Sequence, residues 1–356
     1  MQSKGQPGQY EANKNIHVLV TGGDGFLAGW CVIKLLQQGY KVQTTVRDSD
    51  REQNIRTTLS NVCELANTKR LQFYKADLID DQGWAEVVKG CTYVLHVASP
   101  FPPIQPRDED DIIVPAREGT LRVLRASAMA RVKRVVITSS SVAMRFHSQP
   151  GRTVITEECW TDLTRPGLKP YVKSKTLAEQ AAWKFIKNDN TGMELTTIAP
   201  ATMLGPVLGV HVSFSVQLVQ SLLSGKVPAV PRLGFCIVDV RDEAGLHIAA
   251  MTSPDAVGQR FLGGGTSLWM SDVVEVLKNG LDAIDTAELP KYRMPDLVAQ
   301  ALAPFVPSLK ATIDDLGKKR LYSSAKAERL LRWHMRPIEE TILDTARSLI
   351  NNGLVQ

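Results

Sequence analysis

The stretch NIHVLVTGGDGFLAGWCVIKLLQQGYKVQTTVRD, Asn15 to Asp48, decides the architecture. Its first part is a short β-branched run that ends in glycine, and from Phe26 to Tyr40 the apolar residues recur at helical spacing until Gly39 stops the helix. Lys41 to Asp48 reads as a second strand. Between the first strand and the helix, Gly22 permits a tight turn and Gly25 lets the backbone come close to a pyrophosphate. Ala28 falls where a small residue lets helix and strand pack closely. A helix starting near Gly25 would present its positive dipole end and free N–H groups to that anion. Thr21, Gly22, Asp24, Gly25, Phe26 and Leu27 are therefore the expected phosphate side of a dinucleotide site.

The same pattern repeats downstream. RLQFYKADL, TYVLHVAS, VKRVVITSSS and MELTTIAPATM are short apolar strands running into small or polar residues, with helical segments such as REGTLRVLRASAMARV between them. Continuous apolar strands joined by helices predict an α/β fold, a Rossmann-type doubly wound parallel sheet. Such sheets bind ligands beyond the carboxyl ends of their strands. After Pro200 the regularity weakens. The reading is a disordered tail over 1–15, a dinucleotide-binding domain over 16–200 to which 236–265 return, and a smaller, mostly helical substrate-binding lobe made of 201–235 and 266–356.

Composition narrows the class. The 356 residues are 44% hydrophobic, ample for a packed core, and the net charge of +5 is scattered rather than gathered in a stripe. With aromatic residues at only 6%, this argues against a nucleic-acid partner. Cys31, Cys63, Cys91, Cys159 and Cys236 form no C-x-x-C pair and are odd in number, so neither a disulfide framework nor a zinc site is expected, and a reducing compartment fits. No apolar run reaches the roughly 18 residues a membrane span needs. The expectation is a cytoplasmic protein, monomer or homodimer, acting on a small molecule without a metal.

The end of the second strand bears on which dinucleotide binds. An Asp or Glu there accepts from a ribose 2′-hydroxyl, whereas a 2′-phosphate calls for Arg. TTVRD puts Arg47 at that point, with Arg51 close by, which favours NADPH. Asp48 leaves an alternative, since it could pair with Arg47 or itself reach the ribose. Asp77 and Leu78 after the third strand are expected near the adenine. Val97, Ala98 and Ser99 are expected along the cofactor's ribose, and Pro200 at the end of a later strand also faces it.

Tyr171 and Lys175 in YVKSK lie one helical turn apart, downstream of the serines at Ser139 to Ser141. Pro170 suits the first position of that helix. A phenol with an ordinary pKa near 10 is a poor acid at neutral pH, but an ammonium one turn away favours the phenolate. The set reads as a carbonyl-reducing site: Tyr171 protonates the carbonyl oxygen, Ser140 hydrogen-bonds it, and Lys175 lowers the phenol's pKa and holds the nicotinamide ribose.

With these motifs in place the chain resembles an extended short-chain dehydrogenase/reductase of the group containing dihydroflavonol reductases, cinnamoyl-CoA reductases and microbial NADPH-dependent aldehyde or ketone reductases. The resemblance runs through VLVTGGDGFLAGW, TTVRD, KADL, HVASPFP, VVITSSS, EECWTD, YVKSKTLAEQAAWKF and IAPATMLGP. It implies the catalytic set Ser140, Tyr171 and Lys175, and Arg47 as the 2′-phosphate ligand. Two departures bear on substrate. VAMRF replaces the short polar residue that reads a flavonoid ring, and the plant cinnamoyl-CoA signature NWYCYGK is absent. Pro100, Met144, Arg145 and Met203 are candidate pocket residues, with His147, His211 and Phe214 as neighbours and Arg145 facing an anionic or phenolic group. The competing readings are a nucleotide-sugar epimerase or dehydratase that retains NAD, which usually carries an acid where Arg47 stands, and a non-catalytic dinucleotide sensor, which would lack the Tyr/Lys pair.

Overall fold

The structure, a computed structural model, describes residues 7–100, 108–146 and 154–355. Its main sheet comprises β1 (His17–Val20), β2 (Lys41–Val46), β3 (Leu71–Lys75), β4 (Tyr93–His96), β5 (Arg134–Thr138), β6 (Glu194–Pro200) and β7 (Arg260–Gly263). They lie in the order β7-β6-β5-β4-β1-β2-β3, every neighbouring pair parallel. The chain winds outward from β1 to β3, then crosses back to lay β4 on the other side of β1. That reversal opens a crevice at the carboxyl ends of β1 and β4.

The strands are apolar throughout because both faces are covered. Val18 and Val20 point into a layer closed by the helices Phe26–Gln37 and Val240–Thr252, while Leu19 between them points into the opposite layer with Trp84, Val123, Leu124 and Ala182. The second layer holds the helix Asp110–Met129 packed along Pro170–Lys187. Pro170 opens the latter helix, with Lys169 in extended backbone before it, as the sequence implied.

A smaller sheet of Thr202–Leu204, Gly234–Asp239 and Thr266–Trp269 packs with the helices Gln217–Leu223, Met270–Gly280 and Ile338–Asn351 around its own apolar core. Within the expected return over 236–265, Gly234–Asp239 departs, for it belongs to the small sheet, while the helix Val240–Thr252 packs against Phe26–Gln37 and β7 is an edge strand of the main sheet. The transition falls at Asp239, whose Oδ1 accepts the Arg241 N–H at 2.7 Å and so caps the helix that leads back. The expected tail over 1–15 also needs correction. Pro7–Asn13 is helical, and it docks: Asn13 Nδ2 donates to the Gln38 carbonyl at 3.0 Å, and a Cβ on Gly39 would lie 2.6 Å from the Tyr10 carbonyl oxygen. Residues 1–6 lie outside the described residues. No helix among the described residues is long and apolar enough to cross a membrane, and all five cysteines are buried thiols.

Candidate active site

A cleft of about 540 Å³ runs across the carboxyl ends of the central strands. Gly22, Asp24, Gly25, Phe26 and Leu27 line it beside β1, Arg47, Asp77 and Leu78 line it beyond β2 and β3, and Val97, Ala98, Ser99 and Pro100 form its middle. Ser140, Tyr171, Lys175, Pro200 and Met203 line it on the β5 and β6 side.

The glycine turn is built by its neighbours. Gly22 adopts φ +74°, and a Cβ there would lie 3.0 Å from the Ala98 Cβ; a Cβ on Gly23 would lie 2.4 Å from the Thr44 hydroxyl. The Gly22 N–H donates to the Thr45 hydroxyl at 2.8 Å and the Gly23 N–H to the Thr45 carbonyl at 2.9 Å, so the end of β2 fixes the turn. Thr21 is fully buried and is not on the cleft wall. Its hydroxyl accepts the N–H groups of Val97 (3.1 Å) and Ala98 (3.0 Å), which leaves its own proton for His96 Nδ1 at 2.9 Å. Thr21 therefore ties the glycine turn to the β4 loop. Burial, with Lys175 nearby, pushes the His96 imidazole down to about 3, so it stays neutral.

This end of the cleft fits a dinucleotide. The helix Phe26–Gln37 begins at Gly25 with no side chain capping it, which leaves its first N–H groups for an anion. Arg47 is exposed on the wall, while the Asp48 carboxylate accepts the Asp50 N–H at 3.1 Å and caps the next turn. Asp48 thus neither pairs with Arg47 nor lines the cleft. Arg51 donates to Asp24 at 2.6 Å and meets His211 Nε2 at 3.0 Å. The loop after β3 is held by Arg122 Nη1 on the Leu78 carbonyl (2.6 Å) and by Trp84 Nε1 on the Asp77 carbonyl (3.0 Å).

At the other end the Tyr171 hydroxyl is hydrogen-bonded to Ser140. Lys175 is buried, and its Nζ donates to the Thr138 carbonyl at 3.4 Å. Burial pushes Lys175 down to about 8 against the charge of Glu179, which raises it. The expected depression of the Tyr171 pKa by Lys175 is corrected here. Burial holds the phenol above its ordinary value, and the opposing influence is the Ser140 hydrogen bond. The physical reason is the same desolvation that weakens Lys175 itself as a cation.

Two of the four candidate substrate residues, Pro100 and Met203, are on the wall. The other two are not. Met144 is fully buried among Ile155, Cys159, Ala199 and Leu262 because the short helix Val142–Arg145 turns that face inward. Arg145 is ion-paired with Asp315, which also binds Arg320 at 2.9 Å, and its guanidinium lies 5.2 Å from the Phe146 ring. His211 is committed to Arg51, Phe214 is exposed beside the wall residues Ser213 and Ser215, and His147 lies outside the described residues. Thr45, Ala76, Ile79, Trp84, Ala201, Ser213 and Ser215 line the cleft without having been anticipated. Of these only Thr45 carried a local signal, a hydroxyl at the strand end opposite the glycine turn.

A doubly wound sheet with a glycine turn at its reversal point and a Ser-Tyr-Lys set at the same carboxyl ends defines an extended short-chain dehydrogenase/reductase. The chain belongs to the NAD dependent epimerase/dehydratase family, whose sequence profile matches residues 18–262. It is 34% identical over 322 residues to the cinnamoyl-CoA reductase CAD2 of Medicago truncatula, covering 85% of this chain and 96% of that protein. It is 39% identical over 213 residues to an anthocyanidin reductase of Vitis vinifera, covering 58% of this chain and 61% of that one. Among solved structures it is similar to yeast methylglyoxal/isovaleraldehyde reductase Gre2 complexed with NADPH, with a TM-score of 0.77 and 27% identity over 96% of this chain and 100% of that one.

Proposed function

We propose that this chain reduces a small aldehyde or ketone to the alcohol with NADPH as reductant. The observation that carries this reading is the convergence of Ser140, Tyr171 and Lys175 with the glycine turn and Arg47 on one cleft. NADPH, when bound, supplies the hydride to the carbonyl carbon. Ser140 donates a hydrogen bond to the carbonyl oxygen, and Tyr171 gives that oxygen its phenolic proton. The phenolate left behind keeps the Ser140 hydroxyl, the influence that opposes its burial, and Lys175 holds its ammonium one helical turn away. The same ammonium and the backbone N–H groups at Gly25 to Leu27 would hold the cofactor, with Arg47 on the 2′-phosphate.

The chain's similarity to a cinnamoyl-CoA reductase and to a methylglyoxal/isovaleraldehyde reductase, whose substrates carry a carbonyl carbon, supports this reading. Arg47 on the wall and Asp48 turned to a cap favour NADPH over retained NAD, and so weigh against the epimerase reading. Incubation with NADPH deuterated at C4 and a carbonyl panel tests the proposal by mass spectrometry. Deuterium in the alcohol product supports it. Interconversion of a nucleotide sugar without net cofactor consumption would replace it.

A further inference from the structure

We propose that Glu179 is a positioning residue of this site: its carboxylate locks the Tyr171/Lys175 helix to the strand end that bears Ser140, and its charge keeps Lys175 an ammonium. The inference rests on the reductase reading and deepens it. Glu179 stands one helical turn beyond Lys175 and is 1% exposed. It accepts hydrogen bonds from Ser139 Oγ at 2.6 Å, Thr197 Oγ1 at 2.7 Å, Trp183 Nε1 at 3.3 Å and Arg260 Nε and Nη2 at 2.7 and 3.1 Å. Those donors come from the end of β5, from β6, from β7 and from its own helix. Ser139 immediately precedes Ser140, so the bond to Glu179 sets the backbone from which the substrate-facing hydroxyl projects.

Arg260 is itself fixed. Its Nη1 donates to the carbonyls of Glu157 at 2.7 Å and Cys159 at 3.0 Å, and its guanidinium stacks 3.5 Å from the Trp160 ring. Burial pushes the Glu179 carboxyl up, but Arg260, Ser139 and Thr197 outweigh it and hold the group below its ordinary value. Glu179 is therefore an anion at every working pH.

The charge has a direction of action. Around Lys175, His96 at the end of β4 is neutral, pushed down to about 3, and His247 is likewise pushed down to about 4 by burial while it meets the Thr138 hydroxyl at 2.8 Å. Glu109, at the start of the Asp110–Met129 helix that packs along the Tyr171/Lys175 helix, is spent on Lys173 at 2.6 Å, on the exposed side of the latter. Tyr171 is an uncharged phenol, and the Arg260 guanidinium is spent on Glu179. Glu179 is the anion that opposes the desolvation of Lys175. A clamp that merely held the strands together could be a neutral amide; this one sits where its charge acts on a catalytic cation.

Glu179→Gln keeps the shape and either the three acceptor bonds of Oε1 or the two of Oε2, but removes the charge. The pH profile of kcat for NADPH-dependent reduction should show its basic limb, where Lys175 loses its proton, displaced downward by about one pH unit. Glu179→Asp retains the charge and shortens the reach, so kcat should fall several-fold with the basic limb unmoved. If Glu179→Gln does not fold, Glu179→Gln with Arg260→Met removes both charges together and carries the same prediction, since neutralising a buried pair is often tolerated. A neutralised variant with the wild-type basic limb, or an Asp variant whose limb moves as far, overturns the inference. Wild-type protein that reduces no carbonyl would instead overturn the reductase reading on which it rests.

Discussion

Arg47 gives the sharpest quantitative test of the cofactor end. Its guanidinium is exposed on the cleft wall at the end of β2, and neither Asp48 nor Asp24 neutralises it, because the first caps the following turn and the second is bound by Arg51. A hydrogen-bonded contact to a charged partner contributes about 1.5–3 kcal/mol, and the exposure of Arg47 places it in the lower half of that range. At about 2 kcal/mol, with a tenfold change for every 1.4 kcal/mol, Arg47→Ala should lower kcat/KM for NADPH roughly 30-fold. NADH carries no 2′-phosphate, so its kcat/KM should change by less than about twofold. Steady-state kinetics with both cofactors and one fixed carbonyl substrate reads the ratio directly. An equal loss with NADPH and NADH would mean that Arg47 supports the fold of the strand end rather than the phosphate, and no loss with either would refute the assignment.

Further outcomes follow from single positions. Gly22→Ala forces a side chain into φ +74° with its Cβ 3.0 Å from that of Ala98, which should cost about 2 kcal/mol, lower Tm by several degrees and raise the KM for NADPH together. Glu243 is fully buried with both carboxylate oxygens unpartnered, and burial, with Asp242 adding to it, pushes its carboxyl from 4.5 up to about 8. The folded state therefore holds this proton more tightly than the unfolded chain, so stability falls as pH rises from about 4.5 to about 8 and the loss is complete above that. Glu243→Gln should flatten that slope, with Tm above wild type at pH 8 and close to it at pH 5; parallel Tm curves for the two proteins would contradict the assignment.

The parts of this molecule that were legible in its sequence are the local ones. The turn at Gly22 to Leu27 and the spacing of Tyr171 and Lys175 each depend on a few consecutive residues, and the structure brings them to one cleft. Arg47 was legible for the same reason, as the residue that follows the last strand position. What failed depended on orientation or on distant partners. Met144 and Arg145 follow Ser140 closely in sequence, but one faces a core completed by Leu262 and the other meets Asp315. No local pattern marks Gly119, yet a Cβ there would lie 2.8 Å from the Leu78 side chain that lines the cleft. The Glu179–Arg260 pair spans 81 residues, and only the adjacency of β6 and β7 to the Pro170–Lys187 helix brings it together. The direction of the Tyr171 shift was missed because a helix spacing reports a neighbouring charge and says nothing of burial.

The central claim is tested most directly by following NADPH oxidation by the purified protein and its Tyr171→Phe variant against aldehydes, ketones, dihydroflavonols and CoA thioesters. The account predicts turnover of an aldehyde or ketone by the wild type with a preference for NADPH. It also predicts a loss of roughly 100- to 10,000-fold in kcat in the variant, which should still bind the cofactor. Full turnover by Tyr171→Phe, or no oxidation of NADPH with any carbonyl while NAD stays bound to the purified protein, would contradict it.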